Sequence, residues 1–180
     1  NASGDYLCIW NVDHLRTPDS IEMMAKALDE NPDVDFVYGD FTQVIQFGAT
    51  EGEYVDNAGR EDLLKSGMIL GPFFMLRKSL LQRTKVFDEQ LVSGADYDLA
   101  LRLAHNGKGM HIPHNSGYYL NEGLGASTRQ DSKQPLERTV IELRYGLEVL
   151  EPYLVGAARE YDIENIHNGT FKFKSKCLVA

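Results

Sequence analysis

The sequence is poor in the features that mark several protein classes. It contains two cysteines, Cys8 and Cys177, with no cluster of histidines beside them, so neither a disulfide framework nor a zinc site is predicted. No apolar run is long enough to cross a bilayer, and the first residues lack the basic segment and apolar block of a secretory signal. We therefore expect a cytoplasmic chain without a transmembrane segment.

Positive charge is also scarce. The chain carries 18 Lys and Arg against 27 Asp and Glu, a formal net charge of −9, which disfavours nucleic acid as a partner. An anionic ligand would need a bound metal or a local basic patch. With 180 residues, 43% of them hydrophobic, the chain can nevertheless build a soluble domain with a substantial core.

The order of the apolar segments predicts an α/β fold. A short buried strand is expected over residues 5–10. A helix follows that Thr17 caps and Pro18 opens, and it ends near Asn31. The next strand covers residues 35–41, and this rhythm of strand, helix and strand is typical of a β-α-β unit. Further strands are predicted over 69–77 and 109–113, and a further helix over 78–82. Another helix starts at Asp96 and Asp98 and ends at Gly107, and the longest helix runs from Pro135 to Pro152.

The stretch IWNVDHLRTP places two oxygen-bearing side chains directly after the first apolar segment. In an extended segment Asn11 and Asp13 project to the same side, so both oxygens can face one cation or polar ligand. A second acidic point, Asp96 with Asp98, opens a predicted helix. In an open α/β sheet both points can converge on one crevice, since ligands collect at strand ends and helix N-termini. Taken singly, Asp13 is also explained as a turn residue and Asp96 as a helix cap.

Several segments together resemble family 2 glycosyltransferases, which have the GT-A fold. The segments ASGDYL and NVDH, followed by a proline, are similar to the family's A-x-G-[ED]-Y-[IL] and D-x-D-D patterns. GPFFMLRK is similar to a strand that carries acceptor-side residues. FDE, ADYDLALRL and a glycine followed by IP match the family's F-D-E, [ED]-D-x-D-L-x-L-R and G-x-x-x-x-x-P patterns. The order and the spacing of these short segments carry the resemblance.

The resemblance implies a reaction and residue roles. Asp13 and Asn11, on the two aspartates of the D-x-D motif, would hold Mg²⁺ or Mn²⁺ against the diphosphate of a nucleotide-sugar donor. Asp96 is implied as the catalytic base that takes a proton from a hydroxyl of a glycan or other acceptor, with inversion of the sugar's anomeric carbon. The implied substrate-binding positions are Gly71, Pro72, Phe73, Ala95 and Tyr97.

The sequence departs from the family pattern at several of these positions. Asn11 lacks the charge of the family's first aspartate, which weakens cation binding, and His14 replaces a further aspartate. Ala95 replaces a glutamate beside the base. A histidine that binds metal in the family has no match here, although Glu122 can substitute for it.

Only part of the family's domain is matched, because the chain begins almost at the D-x-D segment. We predict a partial GT-A mixed sheet flanked by helices over residues 1–129, and a helical extension with a basic tail over 130–180. Such a glycosyltransferase fragment, without the nucleotide-binding half, is expected to be inactive alone or to pair with a second copy through exposed sheet edges. Two other functions stay open: a non-catalytic binding or interaction module on the same scaffold, and a metal-dependent phosphohydrolase that uses Asp13 and Asp96.

The remaining polar and aromatic residues are assigned structural roles. Trp10 is predicted in the core. His105, His111 and His114 are predicted at exposed or core-edge positions rather than around a metal. The lysines of the tail, residues 168–180, are expected to point outward from an edge strand.

Overall fold

The computed structural model describes residues 2–123, 132–149, 151–161 and 166. The chain divides into two compact units: the first comprises residues 1–86 and 99–125, the second residues 87–98 and 126–180. The domain boundary predicted between residues 129 and 130 lies outside the described residues, as does the strand predicted for the tail.

The first unit is built on a mixed sheet. Its strands are β1 (Tyr6–Leu7), β2 (Leu15–Arg16), β3 (Phe36–Val44), β4 (Glu53–Val55), β5 (Phe74–Arg77) and β6 (Gly109–Leu120). They lie in the order β1-β5-β3-β6-β2, with β4 paired to β3. Of these pairs β3 and β6 run parallel, and the others are antiparallel.

The described residues form five α-helices. They are α1 (Ser20–Glu30), α2 (Lys78–Thr84), α3 (Ala95–Asn106), α4 (Gln134–Arg144) and α5 (Glu151–Glu160). Among the described residues, none of these helices combines the length and the apolarity that crossing a membrane requires. The predicted α/β class, a mixed sheet flanked by helices, is confirmed.

Residues of the central strand alternate between two cores. Phe36 and Tyr38 pack on one face with Leu80 of α2 and with Leu99 and Leu103 of α3. Val37, which lies between them in the strand, points to the other face and packs against α1. The buried residues of this second core include Met24, Leu28, Val37, Phe73, Met75 and Ile112. Because helices cover both faces at the start of β3, Phe36, Val37 and Tyr38 are all buried, and this apolar run explains why the sequence signal of the strand is strong.

The N-terminal segment differs from its prediction. Only Tyr6 and Leu7 form a strand, and Trp10 is 59% exposed rather than part of the core. Its indole N–H donates to the carbonyl of His14 at 3.1 Å, so the ring lies over the chain at the surface with its polar edge satisfied. Helix α1 begins at Ser20, later than predicted, because the Thr17 hydroxyl donates to the carbonyl of Asn115 instead of capping the helix.

Two other elements also have different lengths. Strand β6 continues beyond Pro113 because the β3 register shifts from Gly39 opposite Ile112 to Asp40 opposite Asn115, leaving the proline outside the ladder. The helix predicted from Pro135 to Pro152 is two helices, α4 and α5. Gly146, with φ of +68°, follows the end of α4, and Pro152 lies in the first turn of α5, where proline is tolerated.

Candidate functional site

The D-x-D-like segment forms an exposed turn in the first unit. The His14 N–H donates to the carbonyl of Asn11 at 3.3 Å, so the chain reverses here, and the predicted extended alternation is wrong. Val12 is 98% exposed and the Asp13 side chain is 55% exposed. Asn11 is exposed as well, which leaves both oxygen-bearing side chains accessible to a ligand from solvent.

Buried interactions hold this turn at its base. The Arg16 guanidinium donates to the carbonyls of Ile9 at 3.2 Å and Phe74 at 3.4 Å, which ties the start of the segment to strand β5. The same guanidinium lies 5.3 Å from the centre of the Phe73 ring, and burial lowers the pKa of Arg16. The turn is therefore anchored, although its tip is in water.

The predicted substrate-binding segment at residues 71–73 lies on the same unit and is partly accessible. Gly71 has φ of +63°, a conformation that favours glycine, and a Cβ there would lie 3.0 Å from the Phe41 ring. Pro72 is half-buried. Phe73 is 2% exposed and its ring centre lies 6.1 Å from that of Phe41, so its side chain is buried beneath the partly accessible residues Gly71 and Pro72. Ligand contact by these residues stays a prediction.

Asp96 lies in the second unit, in the first turn of α3, where its residue surface is exposed. Desolvation by the surrounding protein raises the pKa of its carboxyl, and the backbone N–H of Tyr97, which donates to it at 2.8 Å, opposes that shift. Asp96 is thus exposed as a residue, and its carboxyl is more basic than that of an ordinary aspartate. These are two properties that a general base requires.

Tyr97 connects this helix turn to α4. Its ring is 8% exposed, lies 5.9 Å from the Arg138 guanidinium and, through its hydroxyl, reaches Glu142 at 3.5 Å. Burial raises the pKa of Tyr97 to about 12, so the phenol stays protonated and acts as a donor. Arg138 and Glu142 also line a cavity of about 520 Å³ that extends along α4 to Tyr153. Ala95, the other predicted contact, is half-buried.

Asp98 has a structural role that its neighbour Asp96 does not share. The Arg144 guanidinium donates to Asp98 at 2.7 Å and to Asp88 at 2.9 Å, and the Asp98 side chain is fully buried. Burial alone raises the pKa of Asp88, but the Gln90 N–H and Arg144 outweigh it and hold that pKa below the usual range. Of the two acidic residues that open α3, Asp96 is exposed and Asp98 is buried.

The structure also brings together a group that sequence reasoning missed. Asp40, Asp56 and His111 place possible metal-ligating atoms within 4.8 Å of one another. The Asp40 carboxylate is 3% exposed and accepts from the His111 ring, the Asn57 N–H and the Tyr54 hydroxyl, each at 2.8 Å. Burial raises the pKa of Asp40, but these hydrogen bonds overcome that effect and lower it below the usual value.

The group could hold a divalent metal, but Asp40 is already engaged by three donors. Asp13 is not one of its members. No local sequence pattern predicts the group of Asp40, Asp56 and His111, because Asp40 and His111 become neighbours only through the parallel pairing of β3 with β6. His105 is exposed and His114 is partly buried, as predicted, whereas the His111 side chain is only 6% exposed.

Comparison with known proteins identifies the scaffold. No family model matches the chain. The structure is similar to S. aureus TarS 1-349, with a TM-score of 0.53 and 16% identity over 93% of this chain and 48% of that one. TarS is a glycosyltransferase with a GT-A-like fold. At 16% identity this similarity shows the fold alone, which the chain shares with the matched part of TarS.

Two further comparisons agree on extent. A second TarS structure matches 92% of this chain and 29% of its own, with a TM-score of 0.54 and 16% identity. In sequence, the uncharacterized protein y4gI of Sinorhizobium fredii (strain NBRC 101917 / NGR234) is 23% identical over 113 residues, which are 63% of this chain and 12% of that protein. The chain therefore spans less than half the length of the proteins it matches.

Proposed function

We propose that this chain is the second half of the catalytic domain of a family 2 glycosyltransferase. Its parent would transfer a sugar from a nucleotide-sugar donor to a hydroxyl of a glycan or other acceptor and invert the anomeric carbon. The observation that carries the proposal is Asp96, an accessible carboxylate of raised pKa at the start of α3 in a glycosyltransferase-like scaffold.

In this proposal Asp96 is the catalytic base. Its ionised carboxylate accepts the proton of an acceptor hydroxyl while that oxygen forms a bond to the anomeric carbon of the donor sugar. The bond between this carbon and the donor phosphate breaks, and the nucleoside diphosphate leaves with the bonding electrons. Ala95 and Tyr97 flank the base, and the cavity beside Arg138 offers space for part of an acceptor. Gly71, Pro72 and Phe73 are proposed as further acceptor-side positions.

Asp13 and Asn11 are proposed as the protein ligands of Mg²⁺ or Mn²⁺. Both side chains are exposed at an anchored turn, and their carboxylate and amide oxygens suit such hard cations. The metal would neutralise charge on the departing diphosphate. Because the pair supplies one formal charge, phosphate oxygens of the donor have to complete the site, so we expect metal and nucleotide to bind together.

Calorimetry of the full gene product with a nucleoside diphosphate and Mn²⁺ tests the metal assignment. Binding should require the metal and disappear in Asp13→Ala. Asp56→Asn is the matched control, since it removes a charge from the other candidate metal group and should leave this binding intact. Nucleotide binding that survives Asp13→Ala, or metal binding that fails only in Asp56→Asn, would contradict the assignment.

A turnover measurement on the full gene product tests the base. Asp96→Asn should abolish sugar transfer while donor affinity stays unchanged, because the amide cannot accept the acceptor's proton. Transfer by the wild type should decline as the pH falls through the raised pKa of Asp96, since the base is then protonated. Unchanged turnover in Asp96→Asn would remove this residue from its role.

One other function is favoured by particular residues. Asn11 and Ala95 stand where the family pattern has acidic residues, as expected if a non-catalytic binding module has lost the chemistry. Metal-independent binding of a glycan or protein would support that function. Pairing of two copies also stays a proposal; the edge strands of the described sheet, β1, β2 and β4, have two or three residues each and offer short edges. A cytoplasmic location stays a prediction.

A further inference from the structure

Glu137 of α4 is a buried carboxylate held by backbone amides. It is 3% exposed, and its two oxygens accept from the N–H of Val92 at 2.9 and 3.1 Å. One of them also accepts from the N–H groups of Ser93 and Gly94, each at 2.7 Å. Three consecutive amides therefore converge on one side chain, at distances typical of charge-assisted hydrogen bonds.

These amides lead directly into α3. Gly94 precedes the first residue of the helix, and its carbonyl accepts the Asp98 N–H at 3.0 Å. Amides at a helix start lack partners within the helix and lie at the positive end of its dipole, so a negative side chain stabilises this arrangement. Glu137 thus accepts from the amide of Gly94, the residue just before the helix, as the glutamate of a capping box does, and also from the two amides that precede it.

Packing leaves this loop little freedom. A Cβ on Gly94 would lie 2.8 Å from Ile141 and 3.3 Å from the Cβ of Glu137, so the backbone contacts α4 directly. One residue separates Gly94 from Asp96. A shift of the loop away from Glu137 therefore moves the first turn of α3, and with it the Asp96 carboxylate.

We propose that Glu137 is a positioning residue for Asp96, and that its carboxylate fixes the loop over residues 92–94 and thereby the orientation of the base. The inference rests on the proposed function, in which Asp96 reacts with the acceptor. Glu137 itself would not touch the substrate. The charge is essential in this role, because three N–H groups point at one side chain and an amide N–H₂ in its place would oppose them.

Steady-state kinetics of the full gene product tests the proposal with two variants. Glu137→Gln keeps the shape of the side chain and loses its charge. We expect it to lower kcat per folded molecule about 10- to 100-fold, which is the effect of displacing a catalytic base by about 1 Å, and to leave the KM for the donor unchanged. Glu137→Asp keeps the charge and loses a methylene, and it should retain more kcat than Glu137→Gln. A role in packing alone predicts the reverse order. Glu89→Gln, the same charge change at an exposed position of the same unit, is the control and should behave as wild type.

The outcomes distinguish a failure of the positioning role of Glu137 from a failure of the proposed function. A kcat within twofold of wild type in Glu137→Gln, or equal losses in both Glu137 variants, would overturn the positioning role. Titration with the donor gives the fraction of molecules that are folded and able to bind it, and each kcat is divided by that fraction. A variant that only loses stability is recognised in this way. If Asp96→Asn transfers sugar as well as the wild type, the proposed function itself fails, whatever Glu137 does.

Discussion

The ion-pair cluster beside the proposed base gives a quantitative prediction for Arg144→Leu. The guanidinium serves two carboxylates, Asp98 and Asp88, at 2.7 and 2.9 Å, and the three side chains are 12%, 0% and 15% exposed. Leucine removes the cation and leaves the fully buried carboxylate of Asp98 without it. Breaking a buried pair in this way costs about 3–5 kcal/mol, which is a large share of the roughly 5–15 kcal/mol that stabilises a domain.

The surface pair on the same helix provides the comparison. Arg138 contacts Glu142 at 2.7 Å, but its side chain is 65% exposed, so Arg138→Leu should cost less than about 1 kcal/mol. Urea unfolding followed by circular dichroism measures both variants. Asp98→Leu combined with Arg144→Leu should cost less than the sum of the single changes, because each single change breaks the same ion pair and the double variant loses that pair only once. A cost below 1 kcal/mol for Arg144→Leu, or strict additivity, would refute the reasoning.

Further predictions concern stability elsewhere. Asp40→Asn should cost about 1–3 kcal/mol because buried donors lose a charged acceptor. Since the folded pKa of Asp40 is lowered, this difference should be complete above the unfolded pKa of about 4 and vanish as pH falls through the folded value, which urea unfolding from pH 2 to 7 checks. Gly117→Ala should lower the melting temperature, because a Cβ would lie 2.4 Å from both the Phe73 ring and the Leu15 carbonyl. Gly156→Ala, where a Cβ meets nothing within 4 Å, should raise it instead.

Local patterns predicted the fold where burial is regular. The spacing of Met24 and Leu28 predicted α1, and Gly107 correctly ended α3, because helix faces and stops depend on near neighbours. Patterns failed where a distant contact decides. Trp10 is apolar enough for a core position, but it lies at the surface, where its indole N–H donates to the carbonyl of His14. Strand β6 continues beyond Pro113 because its register with β3 shifts at that point.

The candidate site divides in the same way. Asp96 could be found from its place at a helix start and from the resemblance of its segment. Glu137 could not, because its carboxylate meets amides 43 to 45 positions earlier in the chain, and no local pattern predicts that contact. The same holds for Asp40 and His111, which belong to strands far apart in sequence.

The sequence alone determined the α/β class and the helix that carries Asp96, since these follow from the hydrophobic period and from helix start and stop signals. Only the tertiary structure decided which carboxylates are open and which are engaged. Asp96 and Asp98 are two residues apart, yet one is exposed while the other is fully buried against Arg144. Burial and partner are set by packing between distant segments, and these determine whether a carboxylate holds the fold or is free to take a proton.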